Sequence, residues 1–165
     1  MIFSFNAAEI FKVAIDIEEN GRNFYLRAQE MVQDPEAKEL FQDLARQEVE
    51  HKKKFEALRA QLPEDSASPT VWDPDNEMAQ YLKVMADGHV FISSGDAQAK
   101  LAGIKDVEDA LRLAIEFEKD SIIFFLGIQD AVDVDKGKRL IGALVKEEQE
   151  HLKRLSLTLR RLAPR

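Results

Sequence analysis

Glu18, Glu48 and His51 return 100 positions later as Glu118, Glu148 and His151. Four carboxylates and two imidazoles thus make two copies of one pattern, a lone Glu followed by Glu-x-x-His. Carboxylate oxygens and imidazole nitrogens bind metal ions. A Glu from each of two helices plus Glu-x-x-His from each of two others is the donor set of a two-metal site inside a four-helix bundle. Four carboxylates, two neutral imidazoles and two +2 ions also sum to zero charge.

The periodicity decides where these side chains point. Steps of three and four along the first helical segment pick out Phe11, Ala14, Glu18, Gly21, Tyr25, Ala28 and Val32. Apart from Glu18 and the Tyr25 hydroxyl, that stripe is apolar or small. The second segment gives Ala37, Phe41, Leu44, Glu48, His51, Phe55 and Leu58. The third gives Leu111, Ala114, Glu118, Ser121, Phe125, Ile128 and Val132, and the fourth Gly137, Ile141, Leu144, Glu148, His151, Leu155 and Thr158. Stripes of this kind face a bundle core. Each helix therefore puts a carboxylate in the middle of its buried face, and Glu48 and His51, three residues apart, emerge on nearly the same side. Unpaired buried carboxylates cost several kcal/mol each, and two divalent cations remove that cost.

A single Glu-x-x-His is commonly an internal ion pair. Two copies, each with a partner Glu on the preceding helix, are the argument for metal. Glu50 and Glu150 also recur but point away from the stripe, as solvated residues do. Oxygen-rich donors suit iron, with manganese as the other candidate. Glu48 and Glu148 each share a helix with a His, which makes them the expected bridges and leaves Glu18 and Glu118 terminal. Tyr25, two turns from Glu18, is expected to give its buried hydroxyl to a carboxylate ligand from another helix. His89 follows Gly88 without a Glu-x-x-His context and reads as a surface or packing residue. Trp72 beside Asp73-Pro74 reads as a loop anchor.

The elements follow from their stop signals. A first helix starts near Asn6, a cap with Glu9 three residues on, and runs to about Val32 before Asp34-Pro35. A second runs from Pro35 to Gln61 or Leu62 and ends at Pro63. Residues 63–74, rich in Pro and Ser, form an extended connection. Asn76 to Val90 is a shorter helix, broken at Ser93-Ser94-Gly95. The third long helix spans Asp106 to about Val134, and the fourth Lys136 to Leu162. The expected architecture is all-α, one domain over 1–165: two antiparallel hairpins joined by a crossover of about 40 residues, the ferritin-like connectivity. Ala14, Ile15, Phe24, Leu26, Leu40 and Leu44 recur identically at 114, 115, 124, 126, 140 and 144, as duplication of a hairpin explains.

The net charge of −8 argues against a nucleic-acid groove. Arg160, Arg161 and Arg165 read as a solvated last turn and tail. The chain contains no Cys, which removes disulfides, thiolate catalysis and Cys-bound iron within it. No apolar run is long enough for a membrane span, and a cytoplasmic setting is expected. Phe117, Ile123 and Phe124 lie off the core stripe, and any left uncovered by the crossover helix would suit a homodimer face.

These residues resemble the diiron domain of rubrerythrin and its ferritin-like relatives. The likeness covers about residues 7–160 and rests on Glu18 through Tyr25, Gln47-Glu48-Val49-Glu50-His51, Glu118 through Phe125, and Glu148-Gln149-Glu150-His151. Two departures stand out. Rubrerythrins carry a Cys-bound rubredoxin-type iron domain, so here the resemblance implies an external electron donor, protein or small molecule. Rubrerythrins also resemble one another in an additional Glu three residues before the third-helix ligand, where this chain has Ile115. The resemblance implies two iron ions and an oxidoreductase reducing hydrogen peroxide. Ferrous iron oxidation with O2, in iron handling, is the alternative. An iron- or oxygen-responsive interaction module without turnover is a third reading.

Overall fold

A computed structural model describes residues 7–61, 75, 77–89, 99–132 and 135–162. Among the described residues five long or intermediate helices follow in order, with a further short helical stretch at 99–102: α1 (Ala7–Met31), α2 (Pro35–Ala60), α3 (Glu77–Gly88), α4 (Val107–Ala131) and α5 (Asp135–Leu162). Helices α1 and α2 form one hairpin, α4 and α5 the other, and α3 lies in the crossover between them. The fold is the all-α ferritin-like bundle that the stop signals indicate.

Local chemistry sets the ends. Asp34 caps α2 by accepting the Ala37 N–H at 2.8 Å, with Pro35 in the first turn. Asp106 caps α4 by accepting the Asp109 N–H at 2.9 Å. Such caps satisfy N–H groups that the first helical turn leaves without partners. Helix α4 stops at Ala131, earlier than the expected Val134, because Val132 turns extended (φ −89°, ψ 125°) while its N–H still reaches the Ile128 carbonyl at 3.0 Å. The caps expected at Asn6, the 63–74 connection with Trp72, and the break at Ser93 to Gly95 lie outside the described residues.

The hairpins meet face to face, α1 against α4 and α2 against α5. Helices α2 and α5 run antiparallel, since Asp43 pairs with Arg154 and Lys54 with Glu147. The stripe residues are buried in all four long helices apart from Val132, which is half-buried. Gly21 lets α1 and α4 close up: a Cβ there would sit 2.8 Å from Phe117 Cε1 and nearer still to Cζ.

Two expectations narrow and one changes. Phe117 and Phe124 are buried, and Ile123 alone of the trio is exposed, beside Val84 of α3. Phe117 lies over Gly21 of α1 and edge-on to His89, while α3 packs on α4 where a Cβ on Gly127 would meet Leu82 at 2.9 Å. Of the two roles expected for His89, surface or packing, it takes the packing one, 4 % exposed at the end of α3. Arg161 is not simply solvated. It bonds Asp34 and Glu36, each at 2.9 Å, and ties the end of α5 to the start of α2. Among the described residues no helix is long and apolar enough to cross a membrane.

Candidate metal centre

Each long helix delivers its carboxylate to the bundle axis at mid-length, and α2 and α5 add a His one turn on. Glu18, Glu48, His51, Glu118, Glu148 and His151 are each at most 1 % exposed. The two imidazoles face each other almost parallel, with centroids 5.3 Å apart. Both turn Nδ1 inward. His51 Nδ1 lies 2.7 Å from Glu148 Oε1, 3.7 Å from Glu18 and 3.8 Å from Glu48 Oε2. His151 Nδ1 lies 2.9 Å from Glu148 Oε2, 3.4 Å from Glu118 and 3.6 Å from Glu48 Oε1.

The oxygens sort the carboxylates. Glu48 and Glu148 each send one oxygen toward His51 and the other toward His151. Glu18 approaches His51 and Glu118 approaches His151. Each imidazole is thus faced by one private carboxylate and by two that it shares with the other. Donor atoms of Glu48, His51, Glu148 and His151 all lie within 4.8 Å of one another.

These residues fit a metal pair on their own chemistry. Nine buried side-chain nitrogen and oxygen atoms among the six have no hydrogen-bond partner. The close Nδ1 contacts to Glu148 lack hydrogen-bond alignment. Buried polar atoms without partners are costly. Burial pushes the Glu18, Glu48 and Glu118 carboxyls up, and the Glu148 charge adds to the push. Burial opposes the charged form of His151, but Glu118 and Glu148 outweigh it and hold the imidazole at about 10. The pocket therefore demands positive charge, and cations supply it without a proton on any ligand.

One carboxylate oxygen is already committed. The Tyr25 hydroxyl donates to Glu118 Oε1 across the α1–α4 interface. Burial first, then the Glu118 charge, pushes the phenol well above its usual value, so it stays a donor. The counterpart Phe125 cannot do this. Glu50 and Glu150 point outward to Lys53 and Lys153, at 2.8 and 3.1 Å. Ile115 packs against the core, so its position supplies no carboxylate.

Sequence reasoning passed over the residue before each Glu-x-x-His. Glu147 Oε2 accepts from His51 Nε2 at 2.8 Å, and Gln47 Oε1 accepts from His151 Nε2 at 2.9 Å. The signal was in the repeat: 47 and 147 are equivalent positions four residues before each His, on the same helix face. His89 was placed as packing without its partner; its Nε2 meets Ser121 Oγ at 3.1 Å and its ring stands edge-on to Phe117.

The family model for rubrerythrin matches residues 9–159. The chain belongs to the rubrerythrin family. As a rubrerythrin it carries a diiron-type carboxylate and histidine site, whose chemistry is that of a diiron-carboxylate oxidoreductase. No Cys is present for a rubredoxin-type centre in this chain. A solved structure from Thermotoga maritima, described as a ferritin-like diiron-carboxylate protein, matches with a TM-score of 0.75 and 25 % identity. The match covers 97 % of this chain and 98 % of that one. Comparison with curated proteins gives no match.

Proposed function

We propose that the protein reduces hydrogen peroxide at a diiron centre held by Glu18, Glu48, His51, Glu118, Glu148 and His151. The carrying observation is the division of oxygens: Glu48 and Glu148 each face both imidazoles, Glu18 and Glu118 one each. Glu48 and Glu148 would serve both ions, and Glu18 and Glu118 one each. The likeness to the Thermotoga maritima protein, described as diiron-carboxylate, supports iron over manganese.

When bound, the iron pair supplies two electrons, each ion changing by one unit of charge. The protein's own groups do the rest. The shared carboxylates hold both positions at a fixed separation. Tyr25 holds Glu118 in place through its hydroxyl and so limits the terminal ligand's swing. Burial of all six ligands excludes bulk water and suits a small oxidant over a large organic substrate. Overall, one peroxide takes two electrons and two protons to give two waters. An external donor, protein or small molecule, returns the electrons, since the chain has no Cys-bound iron to relay them. The reading takes residues 1–165 as one domain in a cytoplasmic homodimer, with Ile123 the member of the expected face that stays exposed.

Stopped-flow oxidation of anaerobic protein carrying two Fe(II) per chain tests this. Peroxide is expected to oxidise the pair much faster than O2 does, with iron retained. Faster oxidation by O2 with ferric iron released would replace the proposal with iron handling.

A further inference from the structure

The repeat that makes the ligands equal makes their supports unequal. Behind His51 stands a carboxylate: Glu147 Oε2, 2.8 Å from Nε2. Behind His151 stands a neutral amide: Gln47 Oε1, 2.9 Å from Nε2. The Gln47 amide is oriented by its own donation, Nε2 to Asp43 Oδ2 at 2.8 Å, so its oxygen faces His151. Asp43 in turn meets Arg154 at 2.8 Å. A negative charge is thus one hydrogen bond from His51 and two from His151, where a guanidinium also answers it.

Lys54 tempers Glu147, at 2.7 and 2.9 Å from its two oxygens. It does not displace the imidazole, since Oε2 keeps both partners. With each Nε2–H committed outward, each Nδ1 is left as a lone-pair donor to the centre. An imidazole that donates to a carboxylate is a stronger base at its other nitrogen than one that donates to an amide. The inward donors of His51 and His151 therefore differ although each faces two shared carboxylates and one private one.

We infer that the two iron positions are unequal, the one beside His51 and Glu18 filling first and holding its ion more tightly, because Glu147 rather than an amide backs its imidazole. The inference rests on the diiron reading above but not on peroxide as the oxidant. Glu147 and Gln47 are positioning residues that act through the imidazoles.

The test is anaerobic titration with 57Fe(II) read by Mössbauer spectroscopy, with iron anomalous diffraction from crystals of protein given one equivalent. One equivalent is expected to give a single quadrupole doublet and anomalous density beside His51. In Glu147→Gln the tight step is expected to weaken about 10- to 100-fold, the usual effect of losing such a partner. The first equivalent should then spread over both positions, giving two doublets. Glu147→Gln combined with Gln47→Glu preserves composition and charge and is expected to move the density beside His151. A purely structural role for Glu147 would not reverse the order of filling. Equal occupancy in the unmodified protein, or an order of filling that ignores both variants, would overturn the inference while leaving the diiron site standing. Failure to bind iron at all would remove the diiron reading and this inference with it.

Discussion

The two hairpins present the same ligands and differ in nearly everything around them. On the first, Tyr25 gives a hydroxyl to the centre and Gly21 leaves a gap; on the second, Phe125 gives nothing and Ser121 bonds His89. Phe117, whose counterpart is the smaller Ile17, fills the space over Gly21. A duplicated hairpin must keep the positions where symmetry is chemical, and it is free to specialise where packing is complementary. The crossover helix sharpens the difference, because α3 packs chiefly on α4.

The largest effect should fall on the part that is shared. Glu48→Ala and Glu148→Ala are each expected to abolish tight binding of the iron pair, because each removes a carboxylate that faces both imidazoles. Glu50→Ala and Glu150→Ala should leave stoichiometry unchanged. Metal analysis after desalting decides it, and two irons per chain in either Glu48 or Glu148 variant would break the assignment.

The crossover contact comes next. Burial, with Lys100 adding, depresses His89 from 6.5 to about 3. Its folded value lies below its unfolded one, so its contribution is full above about pH 6.5 and is lost as pH falls toward 3. Urea unfolding of metal-free protein and of His89→Gln should show their stability difference moving against the native chain. The change should be about 2–3 kcal/mol between pH 6.5 and 4.5, at about 1.4 kcal/mol per unit. A difference that stays flat with pH would mean that His89 charges without cost.

Gly21→Ala tests complementary packing with a change of sign. In an open helix the substitution stabilises by about 1 kcal/mol. Here the added methyl meets the buried Phe117 ring, and overpacking of that kind costs about 1–3 kcal/mol. A net loss in thermal stability is expected, and a gain would show that Phe117 yields freely. The smallest effects belong to the caps. Asp34→Ala and Asp106→Ala should each cost about 1 kcal/mol, with Asp34 the larger because it also holds Arg161 at 2.9 Å. Equal losses would mean that the tie between α5 and α2 contributes nothing.

Much of this was legible in the chain. Glu18, Glu48, His51 and their repeats announced themselves because a charged residue on an otherwise apolar stripe is conspicuous. Pro35, the stop before Asp34 and the start near Asp106 marked helix ends within a few residues. Less legible were pairs whose members lie on different helices. Gln47 and Glu147 look like ordinary polar positions along their own helices. Their contacts, to His151 and His51, exist only once α2 and α5 are laid antiparallel in one register. Phe117 looked peripheral for the same reason: it packs over Gly21 of α1 and against His89, contacts its own helix does not reveal.

Periodicity and composition determined which face of each helix is buried, which donors meet on it, and that no thiol takes part. Those are properties of single helices, set by a 3.6-residue turn and by residue type. Tertiary structure decided which carboxylates face both imidazoles, where Tyr25 places its hydroxyl, and which imidazole is backed by a charge. Each of these depends on the offset between two helices, and a shift of one turn, about 5 Å, would exchange every partner without changing a single stripe.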